Sequence, residues 1–427
     1  MKNRKLITSA MLGCLLFSQS VIGSCMALSM EDAVQMALVN NPDVAITRLN
    51  EDMARAELKQ QRGKNSFSVK ASANFSDSDN NDNGWQYGNS NGLSASLPLF
   101  NKSNQNGIKE GELGLDIAKL KTQRKWETMR LDVIKAYYDA LEAKKQIGVY
   151  QDTVDKYAKH LTNVEQLYSA GSKAKIDVLR SQVELSNAQQ SLIKGQNSYD
   201  NSLSKLHNLL YLDYNEPIEL TDDFVYESFT SDVSSCVAAA MANRKELQID
   251  KYTLQQKELA VSSAKADYYP TVNLNLNAGW NKQVVPSSDN HTYTATVGAS
   301  WNIFDSGVTA GKVDKAKAEL ESAKLALAQD ESDINLSLRQ NYNSMREAEK
   351  RFKSTQDAVK EAEEDYFIAN EKYRAGEGIM LDIIDAQTAL ATARQNHISA
   401  QYDYARYKAA VESDMGTEVS PSVTASE

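Results

Sequence analysis

Three aspartates stand where carboxylates could act on a passing solute. Asp177 lies in Ile176-Asp177-Val178-Leu179, and Asp382 and Asp385 lie in Leu381-Asp382-Ile383-Ile384-Asp385. Acids flanked by aliphatics are costly to bury unless they face water or a partner. Asp382 and Asp385 are three residues apart, so on a helix they share one face. If several copies of the chain brought these carboxylates to one axis, the like charges would repel in a narrow throat. That arrangement favours capture of a multivalent cation, as acid rings do in cation channels. A plainer role competes with it: Asp382 caps a helix, where the dipole stabilises an acid, and Asp385 pairs with a neighbouring base.

The other titratable residues carry no catalytic pattern. His160, His207, His291 and His397 are scattered, with no second ligand at metal spacing. No glycine-rich phosphate loop, nucleophile elbow or Cys-His pair occurs, so neither an enzyme nor a cofactor is expected. The acid run Glu361-Ala362-Glu363-Glu364-Asp365 reads as a solvated helix face.

What positions the aspartates is a turn that occurs twice. Ala170-Gly171-Ser172 precedes Asp177, and Ala375-Gly376-Glu377 precedes Asp382 and Asp385; the two glycines are 376 − 171 = 205 residues apart. The same offset lays Tyr168 on Tyr373, Gln182 on Gln387, Leu185 on Leu390, Ala188 on Ala393 and Tyr199 on Tyr404. The chain is a tandem duplication, and one structural unit is used twice.

The N-terminus reads as an export signal. Lys2, Arg4 and Lys5 precede an apolar run over residues 6–22, and Cys25-Met26-Ala27 offers the small residues a signal peptidase reads. Removal of residues 1–27 would leave a chain starting at Leu28 with a net charge of −10 − 3 = −13, which argues against nucleic acid as a partner. Ile22-Gly23-Ser24-Cys25 also fits a lipoprotein cleavage box. Against lipidation, a tether of at most about 14 Å would have to cover about 50 Å to reach a membrane at the far end of the opening helix. Cys236 is expected to be a small buried apolar residue. Beyond the signal no run approaches the roughly 18 apolar residues of a spanning helix. A membrane would have to be crossed by strands.

Periodicity supplies those strands. A helical pattern from Ser29 to about residue 64 gives way to Phe67, Val69, Ala71, Ala73 and Phe75 alternating with Ser68, Lys70, Ser72 and Asn74. A polar loop is expected over residues 77–91, then a second alternating run through Leu93, Ala95, Leu97 and Leu99. Residues 103–169 contain no proline and read as one helix of about 100 Å. A return helix comes after the turn, its seam Leu185, Ala188, Leu192, Gly195, Tyr199, Ser202 and Leu206 spaced in heptads. The second repeat copies all of this, with a strand through Val272 to Trp280, a polar loop over 282–291, a fourth strand reaching Ile303, and His397 packed on the second seam.

The expected organisation is a signal at 1–27, repeat one at 28–211 with a strand pair at 67–100, an equatorial linker at 212–232, repeat two at 233–413 with a strand pair at 271–304, and a flexible tail at 414–427. The opening and return helices together match the long one in length, so they can stack end to end along it. Four strands cannot close a barrel, and about eight are the minimum in lipid, so copies must pool them. Trp85, Phe100, Trp280, Trp301 and Phe304 sit near strand ends, as interfacial aromatics do.

These residues resemble the TolC family of outer-membrane efflux proteins over nearly the whole mature chain. The likeness rests on residues 30–44 (MEDAVQMALVNNPDV), on LPLFN at 97–101 with its copy WNIFD at 301–305, and on the two tips, YSAGSKAKIDVL and YRAGEGIMLDIIDA. It implies a mainly α fold with a small β part. Duplicated helical hairpins would form a periplasmic tunnel below a 12-stranded outer-membrane barrel, four strands from each chain of a homotrimer. It further implies a passive duct for efflux or type I secretion. A periplasmic adaptor would dock at Ala170, Gly171, Ser172, Ala375, Gly376 and Glu377, linking the duct to an inner-membrane pump of the RND or ABC type. The implied gate network includes Tyr373 and Asp177, and the acids Asp382 and Asp385 singled out above would complete the gate. Two departures stand out: the second repeat lacks the counterpart of Pro42, and Gly378 occupies the position of the gate arginine, leaving Lys173, Lys175 or Arg374 as substitutes. The competing function is a periplasmic coiled-coil scaffold without a pore.

Overall fold

The computed structural model describes residues 26–80, 84–283, 287–417 and 423–425, so most of the expected signal, Cys25 and the side chain of Trp85 lie outside it. The first repeat runs β1 (Met26–Leu28), α1 (Met30–Asn40), α2 (Pro42–Lys64), β2 (Ser68–Asn80), β3 (Gly84–Phe100), α3 (Lys102–Ser169) and α4 (Lys175–Leu210). The linker holds β4 (Ile218–Leu220) and β5 (Asp222–Phe224). The second repeat runs α5 (Val233–Asn243), α6 (Lys245–Ala264), a 3-10 turn, β6 (Thr271–Gln283), β7 (Ser288–Ser300), α7 (Val308–Arg374) and α8 (Met380–Asp414), and β8 (Val423–Ala425) ends the described chain.

Helix α3, at 68 residues, is the mast of the first repeat. Its upper half carries α2, where the Thr122 hydroxyl donates to the Thr47 carbonyl at 3.2 Å. Its lower half carries α4, where a Cβ on Gly195 would meet the Tyr150 ring at 2.6 Å, so the heptad seam needs a glycine there. Along the return seam Ala188, Gly195 and Leu206 are buried while Leu185, Leu192, Tyr199 and Ser202 are half-buried, and Leu206 and Leu210 are fully enclosed.

The opening helices are broken, which periodicity alone did not reveal. Pro42 lacks an N–H and drives the preceding residue toward extended backbone, and Asn41 adopts φ −68°, ψ 125° while its side chain caps Asp43 N at 2.9 Å. The second repeat has no proline yet breaks at the same place, at Arg244 (φ −60°, ψ 130°). There the buried guanidinium binds Glu246 at 2.9 Å and Asp414 at 3.2 Å. An ion-pair network across helices does what proline does in the first copy.

Strands β2, β3, β6 and β7 form one antiparallel sheet in that order. Register puts Val69 opposite Ala95, Ala95 opposite Leu276 and Leu276 opposite Ala295, so one face is apolar from edge to edge. The other face is mostly serine, threonine, asparagine and glycine, with Lys70 among them. Phe75, Tyr87, Trp280 and Tyr293 gather at the far end of the apolar face, and Phe100, Trp301 and Phe304 at the end nearest the helices, all exposed. The strands run through much of the segments expected as loops at 77–91 and 282–291, because Asn, Ser and Gly backbones pair as well as apolar ones once a ladder is started. The fourth strand, conversely, stops at Ser300, short of the expected Ile303. Asn101 and Asp305, the last residues of the two LPLFN-type motifs, close off the starts of α3 and α7: Asn101 accepts from Asn104 N at 3.1 Å and Asp305 from Thr309 N at 2.7 Å.

The linker is structured. β4 pairs in parallel with β1, and β5 pairs antiparallel with β8, so part of the expected flexible tail is held at the equator. Asp222 accepts from Met30 N at 2.7 Å and caps α1, and the Tyr137 hydroxyl donates to the Leu28 carbonyl at 2.8 Å. Met26 packs on the cluster of Leu28, Met30, Tyr137 and Leu206, and its N–H donates to the Pro217 carbonyl at 2.9 Å. Met26 and Ala27, placed at the end of the signal by sequence, are therefore two of the three residues of β1. The exported chain is expected to keep both of them, and intact mass spectrometry of the mature protein checks this; a chain beginning at Leu28 would show that β1 is dispensable.

Candidate functional site

The far ends of the hairpins bring the candidate residues together. Ala170 ends α3 in helical backbone and Gly171 comes next at φ 74°, with its N–H donating to the Tyr168 carbonyl at 2.9 Å and Ser172 N to Leu167 O at 2.9 Å. Gly376 repeats the turn at φ 80°, with Glu377 N donating to Lys372 O at 2.9 Å. Only glycine adopts this backbone without penalty. All six tip residues, Ala170 to Ser172 and Ala375 to Glu377, are exposed or nearly so.

Each aspartate after a turn caps its own helix. Asp177 accepts from Ala174 N at 3.3 Å and Asp382 from Ile379 N at 3.3 Å. Asp385, one turn further on, is exposed and has no ion pair among the described residues. Ile383 and Ala386 point the opposite way, into a core with Val164, Ala369 and Tyr373. Packing thus turns Asp382 and Asp385 outward together. Capping and exposure coexist, and only the expected base for Asp385 is missing.

Tyr373 does not meet Asp177 by hydrogen bond. It is 2 % exposed, and its hydroxyl has no hydrogen-bond partner among the described residues. Burial, and then the Asp177 charge, push the phenol above its ordinary value. Instead the ring contacts His160 of α3 at 5.4 Å between centroids, and the Lys173 ammonium sits 4.2 Å above it. Such a cation over a desolvated ring is worth about 1–2 kcal/mol. Arg374 is engaged with Glu371 at 3.2 Å. Lys173 is the cation that reaches Tyr373, and it occupies the position equivalent to Gly378, since 378 − 205 = 173. Gly378 itself leaves no room, because a Cβ there would meet Tyr373 N at 3.0 Å and Lys372 C at 3.2 Å. The cation over Tyr373 thus comes from the first hairpin, at the position symmetric to Gly378.

His160 stands among the scattered histidines in the sequence, and its place beside Tyr373 leaves no local signal because that partner lies more than two hundred residues away. Burial, and secondly Lys173, lower its pKa from the ordinary 6.5, and its Nε2 has no partner. The remaining described histidines hold packing roles. His207 bridges the Leu203 and Glu216 carbonyls at 2.8 Å each, His397 stacks on Phe352 at 5.1 Å, and His291 lies 3.7 Å from Asp289 on the sheet. Among the described residues no three His, Cys, Asp or Glu side chains cluster as a metal site would require.

A base held below its ordinary pKa in the folded state stabilises the fold above that ordinary value, and the contribution fades as pH falls below it. The His160 contact should therefore weaken as pH drops below 6.5. In Lys173→Met the His160 titration, followed by NMR, is expected to move up but stay below the ordinary value, because burial is the larger cause. Tyr373→Phe should change stability by no more than about 0.5 kcal/mol, since no hydrogen bond is lost.

A profile of the outer membrane efflux protein family matches residues 33–210 and 237–417, covering both repeats. The chain is 22 % identical over 408 residues to the outer membrane protein TolC of Escherichia coli K12, spanning 90 % of this chain and 81 % of that protein. It is 22 % identical over 322 residues to the alkaline protease secretion protein AprF of Pseudomonas aeruginosa, spanning 73 % and 66 %. Its fold is similar to the crystal structure of the Campylobacter jejuni CmeC outer membrane channel, with a TM-score of 0.82 at 16 % identity over 91 % of this chain and 85 % of that one. The duplicated hairpins, the one-sided sheet and the twofold match of the profile agree: the chain belongs to the outer membrane efflux protein family, with its sheet in the outer membrane and its helices in the periplasm.

Proposed function

We propose that three copies of the chain pool their strands into one closed barrel and their hairpins into a tunnel, forming the passive exit duct of a tripartite efflux or type I secretion assembly. The observation that carries this reading is the open sheet. Strands β2 and β7 each have one unpaired edge, and the sheet between them is apolar on one face and polar on the other. In hydrocarbon every unpaired backbone group costs several kcal/mol, so an open edge is untenable. Neighbouring copies are the partners at hand, β7 of one beside β2 of the next. A periplasmic scaffold has no use for an apolar sheet face.

Repeats 28–211 and 233–413 then supply one strand pair and one coiled-coil hairpin each, joined across the equator by 212–232. The exposed tips dock a periplasmic adaptor, which couples the duct to an inner-membrane pump of RND or ABC type. Gly171 and Gly376 are unsuitable for testing this, because their positive φ penalises any side chain. Ser172→Trp combined with Glu377→Lys avoids that penalty. The parent should sediment in detergent as a trimer whose band shifts on boiling. The double variant should keep the trimer and lose export about tenfold, the effect of about 1.4 kcal/mol lost from a contact. A detergent-free monomer with full helix content would overturn the barrel, and undiminished export by the variant would overturn the docking site.

At the closed end, Asp382 and Asp385 from three chains ring the axis, with Tyr373 and Asp177 behind them. Their shared outward face supports this placement. Bilayer recordings of the parent should give a low, cation-selective conductance blocked by trivalent cations. The Asp382→Asn, Asp385→Asn variant is expected to escape block, and equal block in both proteins would reduce these acids to helix caps.

A further inference from the structure

The polar face of the sheet carries one charge among the described residues, Lys70, the third residue of β2 and in register with the middle of β6. Register places it opposite Ser94, which faces Asn277, which faces Thr294. Adjacent positions at this level on the other face are Leu93, Ala95, Leu276 and Ala278, the middle of the apolar band. A lysine directed to hydrocarbon at that depth would be strongly unfavourable, which directs Lys70 to the water-filled side. It is exposed and has no ion pair among the described residues. The same face of β7, which would lie beside β2 of the next copy, presents Asn290, Thr292, Thr294 and Thr296 and no carboxylate. Assembly therefore does not neutralise it.

We propose that Lys70 forms a ring of three unpaired ammonium groups inside the barrel and that this ring is the charge-selective element of its lumen, favouring small anions and anionic groups on cargo. This rests on the trimeric barrel. Twelve strands about 4.8 Å apart and tilted about 40° close a cylinder about 24 Å across at the backbone. Its axis is about 12 Å from the wall, well within the Debye length of about 30 Å at 0.01 M salt and beyond the length of about 3 Å at 1 M. The three charges therefore act across the whole lumen at low ionic strength, and the surrounding hydroxyls and amides do not oppose them. The duct would be acidic at its periplasmic tip and basic in its barrel.

The test is made in the Asp382→Asn, Asp385→Asn background, where the tip acids no longer set selectivity. Reversal potentials across a KCl gradient at low salt should report a preference for chloride. Lys70→Gln should reduce the chloride-to-potassium permeability ratio by about twofold and Lys70→Glu should invert it, with the differences vanishing near 1 M salt. Coincident reversal potentials at low salt would overturn the proposal. Lys70→Cys separates this from failure of the barrel itself, since the described native cysteine, Cys236, is buried. If channels open and the introduced thiol reacts with a membrane-impermeant reagent while selectivity is unaltered, the barrel stands and the role of Lys70 is refuted. Absence of channels together with an unreactive thiol would refute the barrel, and the proposal with it.

Discussion

A backbone hydrogen bond left unmade in hydrocarbon is the constraint on which the rest of this structure depends. Four strands paired only with one another present two open edges, and no side chain can satisfy them. In the proposed barrel, other copies supply the missing partners, a requirement that comes from the strand count. It also explains why the edge strands β2 and β7 are long, at 13 residues each, and not blunted with proline as edges exposed to water are. The alternation of apolar and polar residues then separates lipid from lumen by parity alone.

The helices solve a different problem, how to build a wall about 100 Å long from one chain. A single mast in each repeat is accompanied by two shorter helices that meet at the equator. That junction is where a stacked helix would fray, and it is where the chain concentrates its specific contacts. Tyr226 donates to Glu349 at 2.7 Å, Phe229 N to the Tyr404 hydroxyl at 3.2 Å, and the buried Lys408 ammonium binds Glu227 at 2.7 Å. Burial alone would raise the Glu349 carboxyl, but Tyr226, Lys353 and Arg346 outweigh it and hold it at about 2. The linker between repeats is thus a strap laid over α7 and α8.

At the tip, two pressures meet in a few residues. The chain must reverse direction, which it does with glycine at positive φ, and it leaves acidic side chains facing solvent with an apolar core behind them. Capping reconciles them, since Asp177 and Asp382 satisfy helix ends with the same carboxylates that face solvent. Tyr373 ties the hairpins together through rings and a cation in place of hydrogen bonds, which leaves its hydroxyl and His160 Nε2 without hydrogen-bond partners among the described residues.

Sequence by itself determined whatever depends on neighbours within a few turns. The duplication, the long helices, the strand alternation, the glycine turns and the shared face of Asp382 and Asp385 all come from local periodicity and backbone preference. Tertiary structure decided what depends on residues far apart. The helix break at Arg244 is held by a contact to Asp414, 170 residues later. Strand ends were misplaced because a polar segment pairs or not according to the strand beside it. Met26 and Ala27 join β1 only because β4 lies next to them, and Lys173 was singled out from three candidates only when the second hairpin was folded against the first. In each case the deciding contact spans a large loop, whose closure leaves no periodic trace in the chain.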